Sequence, residues 1–394
     1  MRKAIQIKEN VYWVGVQDFN LRHFHGSLFP IEEGSTYNAY LIVDEEITLI
    51  DTVEEEFVDI MFERIESVIG DKAIDHLVVQ HAEPDHSGGF VRFMEKYPNC
   101  SPYASSIGIN NMLQQYFGEY EFTTVATDET LNTGKYTMKF LEMPMIHWPD
   151  NMLTYLVEEK IAFSNDAFGQ HIASYNLYDC DHGKDFCLAQ AKEYYANILV
   201  PYNMLINAKI NIIKTMDIDM ICPAHGIIWK TYVKEIIDLY ERHSLAQNEH
   251  KATIVYESVW SHTQQIAEAL AEGLAQAGVD VKIYKKSETN IAVIMREILD
   301  SKAVFIGSGC YNSFMSMEIA GMLDKLKSCN IKDKKGLGFG AYGWYMNTAK
   351  TIEEKLAEAG LEIIDDGGIS KNFTPSKEAI NEIIETAYKI GIEL

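Results

Sequence analysis

"QHAEPDHSGG", residues 80–89, is the stretch on which the reading of this chain turns. Within it His81, Glu83, Asp85 and His86 offer four metal-ligating side chains in one loop. The loop follows "HLVVQ" (76–80), a short apolar run that reads as a buried strand. Three further ligand types stand in the same relation to an extended run. His147 follows "FLEMPMI", Asp166 follows "KIAFSN" and His225 follows "MICPA". Four strand ends each delivering ligands suggest one shared site at the rim of a sheet. Four imidazoles and three carboxylates exceed what one tetrahedral ion needs. They suit two ions, each with two histidines and a terminal carboxylate, and one carboxylate bridging. Two divalent ions carry four positive charges, and three carboxylates plus a hydroxide balance them, which a buried cluster requires. Nitrogen and oxygen ligation without thiolate favours iron or manganese and leaves zinc open.

The chain around this loop has 394 residues, more than one hydrophobic core accommodates, so two domains are expected. The net charge is −24, and the acidic excess lies in the first part. Residues 1–250 carry 38 acidic and 18 basic groups, and residues 251–394 carry 20 and 16. So acidic a protein is a poor partner for nucleic acid or an anionic membrane. No apolar run has the length of a membrane span. The six cysteines are dispersed and form no Cys-x-x-Cys pair, which suits a reducing cytoplasm and excludes a built-in rubredoxin-type iron site.

The first part reads as hairpins and strands with interspersed helices. "TYNAYLIVDEEITLIDT" (36–52) and "MLTYLVEEKIAFSN" (152–165) carry hairpin patterns, "YTMKFLEMPMI" (136–146) is an extended run, and residues 233–247 have helical spacing. The grammar changes after "RHSLAQNEHKA" (242–252), which sets the expected domains at 1–248 and 249–394. Strand and helix signals then alternate from "ATIVYES" to "KGLGFGAYG", the pattern of a doubly wound parallel sheet.

In that second part "YESVWSHTQQIA" (256–267) leaves a strand and opens a helix. Ser258, Ser261 and Thr263 offer hydroxyls, the helix start offers N–H groups, and Val259, Trp260 and His262 complete the loop. It contains no Lys or Arg, and is neither a triphosphate loop nor a GxGxxG fingerprint. A monophosphate held by hydroxyls and amides fits FMN. Two further strand ends, with Ser308, Gly309, Cys310, Tyr311 and Asn312, and with Ala341, Tyr342, Gly343, Trp344 and Tyr345, supply flanks for a flavin ring.

With these motifs assembled, the chain resembles the flavodiiron proteins over essentially its whole length. "HAEPDHSGG", "HWPDN", "NDAFGQH" and "PAHGIIW" are similar to that family's ligand motifs in order and spacing. The resemblance implies an α+β, metallo-β-lactamase-like αββα domain holding non-haem diiron, followed by an α/β, flavodoxin-like FMN domain. It implies His81, Glu83 and His147 on one iron, Asp85, His86 and His225 on the other, and Asp166 bridging. It further implies His25 and Tyr195 near the open face of the site, with His171 in support. The second flavin loop departs from relatives at Gly309 and Cys310, and the third at Tyr345 and Met346.

The expected function follows from electron counting. Two ferrous ions and a reduced FMN store four electrons, what O2 needs to reach water, while coupling two NO to N2O needs two. The family implies a head-to-tail homodimer or a dimer of dimers. It also implies rubredoxin as electron donor, or reduced coenzyme F420 in some members. The lysine-rich segment 324–335 is a candidate dock for an acidic carrier. The competing expectation is a zinc hydrolase tethered to a flavodoxin-type carrier.

Overall fold

The computed structural model describes residues 1–26, 29–344 and 348–394. Two compact units emerge. One comprises Met1–Phe24, Ile31–Tyr194 and Met204–Glu241, and the other His25–Pro30, Tyr195–Asn203 and Arg242–Leu394.

The first unit is built on two sheets. Seven strands run in the order Ile5–Lys8, Val11–Trp13, Tyr40–Ile42, Thr48–Ile50, His76–Val78, Ser101–Ser105 and Thr123–Val125. Five more run Thr130–Asn132, Thr137–Glu142, Met152–Leu156, Ile161–Asn165 and Met220–Pro223. Strand alternation divides the apolar residues between two cores. Leu49, Leu77 and Val79 join the core that includes Met61, Phe62 and Ile65 of the helix Val58–Ile69. Their neighbours Ile50 and Val78 face the opposite way, into a core shared with Phe140, Phe163 and Met220 of the second sheet. One helix-backed sheet packed on another gives the αββα architecture.

Both hairpins form, with Tyr40 opposite Ile50 and Leu156 opposite Ile161. The extended run 136–146 ends earlier than its composition suggests, at Glu142. Backbone bonds from Met143 to Asn151 and from Met145 to Trp148 turn the chain there, and Met145 has φ 66°. That turn carries His147 away from the sheet.

The second unit holds an all-parallel sheet. Its order is Asp280–Lys285, Glu249–Glu257, Ser301–Ser308 and Lys335–Tyr342, and the last strand also pairs with Glu362–Ile363 and Ile369–Asn372. This 2-1-3-4-5 arrangement is the flavodoxin order. The helices His262–Gln276 and Lys377–Ile392 pack closely together, and Gly273 sets their separation. A Cβ at Gly273 would lie 2.2 Å from the Ile384 carbonyl oxygen and 2.7 Å from the Ala387 Cβ. Gly273→Ala therefore forces the helices apart. The expected cost is about 1–3 kcal/mol, measured by denaturant unfolding of this unit. Unchanged stability would mean that the helix pair separates freely.

Candidate metal centre and flavin cleft

Behind the metal loop lies a buried polar network. Asp51 closes the first hairpin and accepts from the Gln80 backbone N–H at 2.7 Å and from Gln80 Nε2 at 2.9 Å. Its second oxygen also accepts from Asn165 Nδ2 at 3.1 Å. Asn165, at φ 50°, accepts from Asn151 Nδ2 and from the Asp166 N–H. The residues just before His81 and Asp166 are thus fixed to one carboxylate.

The seven residues expected as ligands converge in two groups. His81, Glu83, His147 and Asp166 bring ligand atoms within 4.8 Å of one another, and so do Asp85, His86 and His225. In the first group the His81 and His147 Nε2 atoms each lie 3.2 Å from Glu83 Oε2. They lie 3.4 and 3.3 Å from Asp166 Oδ2. In the second, Asp85 is 3.3 Å from His86 Nε2 and 3.1 Å from His225 Nε2. The same two nitrogens face Asp166 Oδ1 at 3.1 and 3.6 Å. Asp166 therefore turns one oxygen to each group, which is the placement of a bridging ligand.

The electrostatics ask for cations at this point. The Asp85 and Asp166 oxygens and the Nε2 atoms of His86 and His225 are buried without a hydrogen bond. Burial opposes charging His86 and His147, yet the facing carboxylates carry both up to about 9. Burial alone would raise the Asp166 carboxyl, but the imidazoles of His86, His147 and His81 hold it well below the usual carboxylate range. Divalent ions would satisfy these atoms together, so the residues fit a dinuclear metal centre.

Outer partners orient the imidazoles. Thr36 O accepts from His225 Nδ1 at 2.7 Å, which leaves Nε2 for the metal side. Asp150 lies 3.0 Å from His81 Nδ1 and accepts from the Ala82 N–H at 2.7 Å. His171 is buried, with Nδ1 2.8 Å from Ser35 Oγ and its ring 5.3 Å from that of His225. In this unit the tyrosine beside the cluster is Tyr194. Its ring is 5.2 Å from His171 and 6.2 Å from His225. Burial, then the charge of Asp166, holds its phenol well above the ordinary value, so it keeps its proton.

Tyr195 is buried and donates to Asn203 Oδ1 at 2.7 Å, with its ring 5.6 Å from His243. His25 is exposed at φ 53°. Both belong to the second unit. Sequence reasoning singled out neither Asp150, Thr36 nor Tyr194 as functional. "HWPDN" contains Asp150 three residues after His147, and "EYYANI" holds both tyrosines, so adjacency was the available signal.

In the second unit the three loops enclose a cleft of 370 Å³. Ser258, Val259, Trp260, His262, Thr263, Gly309, Cys310, Tyr311, Ala341, Tyr342, Gly343 and Trp344 line it. Phe373, which carries no local sequence signal, lines it too. Ser261 begins the helix at φ 62° without a side-chain cap, so its hydroxyl takes up none of the first-turn N–H groups. Ser308 supports the second loop from behind, accepting from the Ser316 N–H. Asn312 occupies the turn between Tyr311 and Phe314, at φ 48°. Tyr345 and Met346 lie outside the described residues. A hydroxyl-lined cleft at an uncapped helix start, flanked by Tyr311 and Trp344, fits a flavin monophosphate.

In the lysine-rich segment 324–335 Lys332 is exposed, while the other four lysines are engaged by partners. Lys334 is buried and donates to Asn248 Oδ1, Leu299 O and Ser301 O. Lys325 donates to Asn197 O, Lys327 pairs with Glu358, and Lys335 donates to Glu393 O.

Comparison with known proteins agrees with both halves. The family described as ODP family beta lactamase matches residues 36–226, and flavodoxin matches residues 254–386. A nitric oxide reductase of Moorella thermoacetica is 37% identical over 397 residues, covering 100% of both chains. The rubredoxin oxygen:oxidoreductase of Desulfovibrio gigas superposes with a TM-score of 0.93 at 32% identity, covering 99% of this chain and 98% of that one. The flavodiiron protein of Giardia intestinalis gives 0.95 at 30% identity, covering 99% and 96%. Fold and site together define an oxidoreductase with a β-lactamase-like metal unit and a flavodoxin unit. The chain belongs to the flavodiiron protein family.

Asp150→Ala frees the His81 ring to turn. The expected result is a metal affinity lower by about 10–100-fold, measured by competition with a chelator. Unchanged affinity would show that other contacts orient His81.

Proposed function

We propose that this chain is a flavodiiron reductase that removes O2, NO or both, taking O2 to water or two NO to N2O. The observation that carries the reading is the single carboxylate, Asp166, facing two complete ligand groups. Residues 1–248 are the metal domain in this reading, and 249–394 the flavin domain. His81, Glu83 and His147 would hold one iron, Asp85, His86 and His225 would hold the other, and Asp166, facing both groups, would be shared between them.

When bound, two ferrous ions and a reduced FMN supply the four electrons that O2 requires. The chain's own residues do the rest. Glu83, Asp85 and Asp166 contribute three negative charges, so two divalent ions with one hydroxide make a neutral cluster. Asp150 and Thr36 O keep the His81 and His225 rings turned inward. Tyr194, neutral beside the cluster, supplies a phenol O–H for a bound diatomic gas. His171 supports His225 from one side.

We take rubredoxin as the electron donor, supported by the name of the Desulfovibrio gigas protein, with reduced coenzyme F420 as the alternative donor. The proposed assembly is a head-to-tail homodimer or a dimer of such dimers. The proposed location is the cytoplasm, which dispersed cysteines without a Cys-x-x-Cys pair suit. No helix among the described residues is long and apolar enough to cross a membrane.

Asp166→Ala should abolish gas reduction while FMN remains bound, measured anaerobically with a gas electrode. Full activity in that variant would refute the site assignment. Mixing Asp166→Ala with a flavin-site variant such as Thr263→Val should recover activity in heterodimers. No recovery would argue against transfer between subunits.

A further inference from the structure

His225 reaches the metal centre from a short loop whose backbone is gripped from two sides. On one side, Thr36 Oγ1 accepts from the Gly226 N–H at 2.6 Å, and Asn38 Nδ2 donates to Gly226 O at 3.0 Å. On the other is Gln170, four residues after Asp166 and fully buried. Its Oε1 accepts from the Ile227 N–H at 2.7 Å, and its Nε2 donates to Ile227 O at 3.0 Å. One side-chain amide thus satisfies both backbone groups of a buried residue, as a neighbouring strand would. The fit leaves no slack. Gly226 has φ 81°, and a Cβ there would lie 1.4 Å from Gln170 Oε1.

We propose that Gln170 is a positioning residue that sets the distance of His225 from the shared Asp166, and so governs retention of the second metal. Two ligands of one ion, each about 2.1 Å from it, lie roughly 3.0–3.5 Å apart at ordinary coordination angles. His81, His147 and His86 meet Asp166 at 3.4, 3.3 and 3.1 Å, and His225 at 3.6 Å. His225 is therefore the imidazole with the least room to move outward, and Gln170 ties its loop to the loop of Asp166. The first ligand group is held by other means, since Asp150 lies 3.0 Å from His81 Nδ1. This rests on the dinuclear reading above.

The test uses the full chain with FMN bound, loaded with Fe2+ without air and exposed to rising concentrations of a chelator. The iron that remains is counted. Gln170→Met keeps the side-chain volume and removes both hydrogen bonds. One iron of the two should then leave at about 10–100-fold lower chelator, and the other as in the native chain. Adding Gln170→Met to His225→Ala should weaken binding no further, because Gln170 acts through His225. Adding it to Asp150→Ala should loosen both irons. Gln170→Asn draws the amide back by one methylene and should fall between the native chain and Gln170→Met; it carries the test if Gln170→Met does not fold. Equal loosening of both irons overturns the proposal, as does no loosening, or a further loss on top of His225→Ala. A native chain that retains fewer than two irons overturns the dinuclear reading itself, and this inference with it.

Discussion

Asp51 is the residue on which the metal centre depends, although it is placed to hold no metal. It accepts from both the backbone and side chain of Gln80 and from Asn165, the residues immediately before His81 and Asp166. A ligand displaced by an ångström loses its metal, so ligands from separate strands need a common anchor. A buried carboxylate with three donors is stiff because each donor left without it would remain unsatisfied. Burial raises the Asp51 pKa, and the Gln80 and Asn165 donors work in the other direction. What the anchor holds is a cluster in which Asp166 faces imidazoles on both sides.

The flavin unit solves an opposite problem. The metal unit concentrates carboxylates and waits for cations. The cleft receives an anion with no ammonium or guanidinium group among its described lining residues. Its resources are hydroxyls, an uncapped helix start and one imidazole. Such a site reads the phosphate through geometry more than through net charge, consistent with a chain whose overall charge is −24. Trp260 and Trp344 stand exposed at its rim.

Much of this was legible in the sequence for a physical reason. The seven ligands sit at strand ends, and each strand is announced by its own apolar run. The order of alternating strands and helices in the second part likewise specifies a doubly wound sheet. Long-range contacts were not legible. Thr36 meets His225 across 189 positions, and nothing near either residue announces it. Asp150 was within a recognised motif, but its contact with His81 spans 69 positions. Four of the five lysines of 324–335 find partners far away in sequence, which their spacing does not announce. Lys334 reaches back to Asn248, and its burial brings the amine down to about 7. At the tyrosine pair, spacing could not decide which ring lies beside His171 and His225.

The central claim is that two ligand groups sharing Asp166 hold two redox metals in a chain that also holds a flavin. Metal and flavin analysis of protein purified without air tests it most directly. The account predicts two irons and one FMN per chain, falling to at most one iron in Asp166→Ala with FMN retained. Zinc in place of iron, after growth with ample iron, would contradict it and return the metal unit to hydrolytic chemistry.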